Sequence, residues 1–170
     1  ALSRPPGADP QEPRLRARLM RGLLEESFRA AVAAADPLKI LAPHLPAPPR
    51  GRTFVAAAGK AAASMALAVE KRYRGELEGI AITRYGHGLP TTKIRVVEAG
   101  HPVPDEAGVR GAARIAGLAQ GLTERDLVVC VISGGASALM PMPASPATPE
   151  GERATTKLVL ACGARLPAIN

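Results

Sequence analysis

Apolar residues return along this chain in two rhythms. Over residues 14–35, Leu15, Leu19, Leu23, Leu24, Phe28, Ala31 and Val32 recur at steps of three and four, the period of one face of an α-helix. Asp36-Pro37 closes that pattern, because the residue before a proline is driven out of the helical region. After a proline-rich connection at 41–52 come four short apolar runs, each followed by turn residues: 53–58, 79–83, 94–98 and 127–132. Helical stretches separate several of them, at 61–73 and at 105–119, the second with Asp105 as N-cap behind Pro104. A last helix is predicted over 149–161, with Thr148 as N-cap and Gly163 just past its end. Strands alternating with helices predict an α/β fold built on a mostly parallel, doubly wound sheet with helices on both faces. Residues 1–13, with four prolines and little to bury, read as a flexible tail.

Composition sharpens this picture in a few places. The chain has 170 residues, the length of one domain, and 46% are hydrophobic, many of them alanine. Only 2% are aromatic, so the core must be made of Leu, Val, Ile and Ala, which suits helices lying close on a parallel sheet. No run approaches the roughly 18 apolar residues of a membrane span, which predicts no membrane partner. The net charge of +7 is carried mostly by dispersed arginines. Without aromatic surface to stack bases, that pattern speaks against nucleic acid. It suits anionic ligands, and equally a chain whose balancing acidic part lies elsewhere. Cys130 and Cys162 show no metal-ligand spacing and sit in apolar runs. Buried free thiols and a reducing, cytoplasmic setting are therefore expected. The basic stretch at 14–21 superficially looks like a transit peptide, but Glu25 and Glu26 follow and the helical pattern runs on. The sequence starts at Ala1 rather than Met, so its true beginning is expected to be absent or processed.

The candidate chemistry stands at strand ends. Gly59-Lys60 follows the first strand and precedes a helix, where an ammonium and a helix N-terminus together favour an anion. It is not a P-loop, since Phe54 and Ala61 occupy the motif's glycine and hydroxyl places; a solvated surface lysine is the plainer reading. Gly86-His87-Gly88 follows the second strand but fails the dinucleotide fingerprint, with Thr91 in place of the third glycine and Pro90 inside the motif. A tight turn with an exposed histidine is the alternative there. His101 lies between Gly100 and Pro102, in a loop stiffened by two prolines, as either a ligand contact or a structural histidine. His87 and His101 have no further soft ligand nearby to suggest zinc. Ser133-Gly134-Gly135-Ala136-Ser137 runs straight out of the last strand. Its bare backbone N–H groups can form an anion-binding nest assisted by two hydroxyls. It lacks the final glycine of a hydrolase nucleophile elbow.

Taken in order, the segments 58–62, 83–88, 98–108, 127–139 and 161–164 resemble the type 2 glycerate kinase family, whose members carry a C-terminal MOFRL domain. The likeness covers residues 14–170. It implies a Rossmann-like N-terminal domain, an active site in the cleft to a smaller second domain, and ATP- and Mg²⁺-dependent phosphorylation of D-glycerate at its 2-hydroxyl. The family's active-site lysine falls on Lys60. Its arginine from further along the chain has no counterpart, and Ala136 stands where many members have a third glycine. On this resemblance residues 14–170 are the N-terminal part of the large domain, incomplete at the C-terminus and without MOFRL. Such a piece is expected to be inactive alone and to expose the surface of its cut edge. Gly59, Lys60, His87, His101, Ser133, Gly134, Gly135 and Ser137 are the candidate site residues, with Lys60 catalytic, the others binding substrate or phosphate, and the metal ligands unknown. Asp105 or Glu98 could orient magnesium, although helix capping explains Asp105 better. A nicotinamide-dependent hydroxypyruvate reductase and a non-catalytic anion-binding module are the rival readings. A homo-oligomer is compatible with the sequence.

Overall fold

A computed structural model describes residues 12–164 of the chain. Four strands, β1 (Thr53–Ala58), β2 (Glu78–Arg84), β3 (Ile94–Ala99) and β4 (Leu127–Ile132), form one sheet in the order β3-β2-β1-β4, with every pair parallel. β1 is buried along its whole length. It has neighbours on both edges and cover on both faces, which is why its sequence is apolar throughout rather than alternating.

The two faces are covered by different helices. α3 (Ala62–Arg72) joins β1 to β2 and lays Ala62, Ala66 and Val69 on Val55, Ala57, Ala81, Ile94, Val129 and Val131. Alanines let the helix approach the sheet closely, as the lack of aromatics requires. α4 (Glu106–Gln120) joins β3 to β4 across the opposite face. There Ile80, Ile82, Ala99 and Leu139 form a second cluster with Val97, Ala107 and Ile115. Each fully buried Ile or Leu contributes about 1.5–3 kcal/mol. Gly111 brings α4 onto the sheet, since a Cβ there would stand 2.7 Å from Ile82 Cδ1. The short α5 (Ala136–Leu139) contributes Leu139, and α6 (Pro149–Ala161) follows with Thr148 Oγ1 accepting from Gly151 N at 3.1 Å.

Several boundaries differ from the sequence reading. α1 (Glu12–Ala34) begins two residues early and takes in Pro13, assigned above to the tail; proline is tolerated in a first helical turn. Its apolar side is uncovered by any described residue, with Leu19, Leu24 and Phe28 65%, 64% and 69% exposed. α2 (Pro37–Ile40), capped by Asp36, precedes the proline-rich connection, and a single 3₁₀ turn at Ala42–His44 interrupts it. Both cysteines are exposed, not buried. Cys130 lies with Val128 and Ile132 on the side of β4 that α4 leaves open, and Cys162 sits at the C-cap of α6. Their argument for a reducing compartment therefore loses its premise. Among the described residues, β4 pairs only with β1, and no helix is long and apolar enough to cross a membrane. The rest of the predicted tail (1–11) and residues 165–170 lie outside the described residues.

Candidate anion site at the strand ends

Strand order dictates where a site can form. The chain steps from β1 to β2 to β3 in one direction, then returns to lay β4 on the other side of β1. The connections after β1 and β4 leave toward opposite faces of the sheet, opening a crevice at the strands' carboxyl ends, where open parallel sheets hold their ligands. The two loops bordering it are Gly59-Lys60 and Ser133–Ser137.

These loops are tied together by the sheet's own ladder carried one step further. Ser133 N donates to Ala58 O at 3.0 Å and Gly59 N to Ile82 O at 3.1 Å. Lys60 N then donates to Gly134 O at 3.0 Å, and Ala61 N to Ser133 Oγ at 3.0 Å. The buried Thr83 hydroxyl completes the frame by donating to Lys60 O. The backbone of Lys60 is thus held by both neighbouring strands while its side chain is exposed. Gly59 is required by this contact: its φ is +124°, and a Cβ would stand 2.5 Å from Ser133 O.

The loop after β3 adds His101. Gly135, with φ +90°, lies directly against the imidazole: a Cβ there would stand 2.5 Å from His101 Nε2, 2.8 Å from its Cδ2 and 3.4 Å from Lys60 Cε. An imidazole nitrogen and a lysine stem therefore flank the same point over the glycine loop. Among the described residues, the N–H groups of Gly134, Gly135, Ala136 and Ser137 donate to no partner. Desolvation, followed by the charges of Lys60 and Arg84, lowers the pKa of His101 below its ordinary value.

The structure thus gathers Gly59, Lys60, His101, Ser133, Gly134 and Gly135. Ser137 is adjacent but faces a cleft of about 460 Å³ that it shares with Pro102, Thr148, Glu152, Thr155 and Thr156. His87 is not joined to the cluster by any hydrogen bond of its side chain; its backbone closes a tight turn, His87 N to Arg84 O at 3.2 Å. That turn is held by Glu98 Oε1, which accepts from Gly88 N at 2.7 Å. Arg84, absent from the predicted set, is drawn in because β2 and β3 pair it with Ala99, two residues before His101. The strand predicted over 79–83 stops one residue short of it, and its approach to His101 comes from pairing across strands, which gives no local signal.

The carboxylates weighed for magnesium have other partners. Asp105 accepts from Gly108 N at 3.0 Å as the N-cap of α4 and from Tyr85 OH at 2.7 Å. Burial would raise its pKa, but these hydrogen bonds, with the N–H groups of Gly100 and Ala107, outweigh that and hold it low. No group of three His, Cys, Asp or Glu among the described residues could hold a metal.

Comparison with known proteins agrees with this architecture. Residues 23–170 match the family described as a domain of unknown function, DUF4147. A relative from Agrobacterium vitis, provisionally named a hydroxypyruvate reductase, is 45% identical over 88% of this chain and 34% of its own length. A glycerate 2-kinase from Pyrococcus horikoshii is 41% identical over 71% of this chain and 27% of its own. The crystal structure of a Thermotoga maritima glycerate kinase superposes with a TM-score of 0.69 at 30% identity, covering 89% of this chain and 37% of that one. The chain spans about a third of the length of these relatives. With the family matched over nearly all of it and the fold shared, this chain belongs to the DUF4147 family, the N-terminal domain of glycerate 2-kinases.

Proposed function

We propose that this domain forms part of an ATP-dependent glycerate 2-kinase, and that the crevice between β1 and β4 grips the negatively charged reactants. The observation that carries this reading is the meeting of Lys60, His101 and the bare 133–137 loop at one point over Gly135. Phosphoryl transfer asks for positioning and charge neutralisation rather than a covalent nucleophile. A lysine fixed by its backbone beside unpartnered N–H groups supplies both. Lys60 balances charge on the transferring phosphoryl group or on the glycerate carboxylate, and the loop N–H groups and Ser133 hold an anionic oxygen. Magnesium would come to such a site chiefly on the nucleotide's own phosphate oxygens. A kinase drawing on ATP belongs in a cytoplasmic setting, where that nucleotide is at hand.

The hydroxypyruvate reductase reading takes support from the name of the Agrobacterium relative. Against it, the glycine turn after β2 leads through an exposed loop to another strand, not to the helix whose N-terminus would hold a dinucleotide's pyrophosphate. One set of assays on the protein carrying this domain separates the readings. ADP release with ATP and D-glycerate, coupled through enolase so that only 2-phosphoglycerate is counted, is the expected activity. NADH oxidation with hydroxypyruvate would favour the reductase, and calorimetric binding of ATP or glycerate without turnover would leave only an anion-binding module. Lys60→Ala is expected to lower kcat by about two to three orders of magnitude; an unchanged kcat removes Lys60 from the mechanism.

A further inference from the structure

A phosphorylated hydroxyl must lose its proton, and the crevice holds one side chain fit to receive it. We propose that His101 Nε2 is the general base that takes the proton of the acceptor hydroxyl. This deepens the kinase reading and rests on it.

Geometry comes first. Nε2, not the backbone side of the ring, is the edge turned toward Gly135, and the stem of Lys60 approaches the same glycine. A substrate carboxylate held by that lysine would set its neighbouring hydroxyl beside the imidazole. The charged groups bearing on the ring are Lys60, from the turn after β1, and Arg84, from the end of β2. Asp105, at the cap of α4, hydrogen-bonds Tyr85 OH and Gly108 N rather than the ring. Partial burial and two cations favour the neutral imidazole, the form with a lone pair to accept a proton. The same cations that attract an anionic substrate thus add to desolvation in favouring the unprotonated base. In the step itself, the acceptor O–H bond breaks with its electron pair left on oxygen, and that oxygen bonds the terminal phosphorus. The phosphorus–oxygen bond to ADP breaks with its pair leaving on ADP, and the proton rests on His101 before passing to solvent.

Two measurements on the protein carrying this domain test the proposal. In an imidazole NMR titration without substrates, with the signal assigned by its loss in His101→Gln, His101 is expected to titrate below the usual histidine range. Arg84→Gln should move that titration upward. In the coupled kinase assay, the acid limb of kcat/KM should coincide with the His101 titration and shift upward with it in Arg84→Gln. His101→Gln keeps a hydrogen-bonding side chain but cannot carry the proton; it should lose the limb and about 10²–10⁴-fold in kcat. Turnover within a few-fold of wild type in His101→Gln, or an acid limb that persists there or ignores Arg84→Gln, overturns the base and leaves the kinase reading standing. A wild-type protein that makes no phosphoglycerate from ATP and glycerate overturns both.

Discussion

Gly135→Ala is the most discriminating single substitution, because one methyl group is asked to stand where two functional side chains meet. The backbone holds φ at +90° there, a region that costs an L-residue roughly 1–2 kcal/mol over glycine. The added Cβ would lie 2.5 Å from His101 Nε2 and 3.4 Å from Lys60 Cε. The lysine stem is flexible and can yield, but the imidazole must swing away from the crevice. The expected loss of stability is thus about 1–3 kcal/mol, while the loss of turnover should be much larger, at least tenfold. Urea unfolding and the coupled kinase assay measure the two effects separately. Gly117→Ala is the control: it lies within α4, exposed, with nothing within 4 Å of the new Cβ. It should stabilise by about 0.5–1 kcal/mol, as glycine-to-alanine changes inside helices do, and leave activity alone. If Gly135→Ala matches wild type in both measurements, the convergence over Gly135 has no functional meaning.

Two further outcomes follow from side-chain hydrogen bonds, one at the rim and one at the amino end of β3. Asp105→Ala removes the cap of α4 and the partner of Tyr85 OH and should cost about 1 kcal/mol. The folded-state pKa of Asp105 lies below its ordinary value. Its stabilising contribution is therefore present above the ordinary aspartate range and is lost as pH falls through the lowered value; the gap between variant and wild type should close in unfolding curves at progressively lower pH. Glu70, near the end of α3, accepts from the N–H groups of Thr92, Lys93 and Ile94 and from the Thr92 hydroxyl. Its removal in Glu70→Ala should destabilise by on the order of 2 kcal/mol and speed amide exchange at the start of β3; unchanged exchange there would show that the loop is held by something else.

How far the sequence could be read is best seen residue by residue. The spans of β1, β4 and α6 were legible because each is an apolar run cut off by glycine, proline or a capping threonine, signals that act within a few residues. The burial of Cys130 was misread because alternation along β4 tells only that Val128, Cys130 and Ile132 share a side. Whether that side is covered depends on α4, which packs over β2 and β3 instead. His87 and His101 look alike in sequence, each beside glycine. Only the pairing of β2 with β3 and of β1 with β4 decides that one meets Lys60 while the other closes an exposed turn. Arg84 was overlooked for the same reason, since its influence on His101 arises across strands and leaves no local mark.

That dependence on pairing explains why so small a set of residues can build the site. In a parallel sheet every strand ends on the same side, so residues 59, 84, 101 and 133 are brought to one rim by topology before any side chain is chosen. The reversal of direction at β1 then separates the helices that follow β1 and β4, leaving space above these two strands only. What remains for the sequence to specify is close approach and charge: glycines at 59 and 135 where a side chain would collide, a lysine on the first turn, and a histidine whose pKa is lowered by desolvation and then by its cationic neighbours. Changing the side chains on the rim should alter chemistry with little effect on the fold. Substitutions that enlarge Ala56 or Ala57 inside β1, buried at 7% and 0% exposure, should instead wedge the ladder that aligns Lys60 with Gly134, and so disturb the site from below.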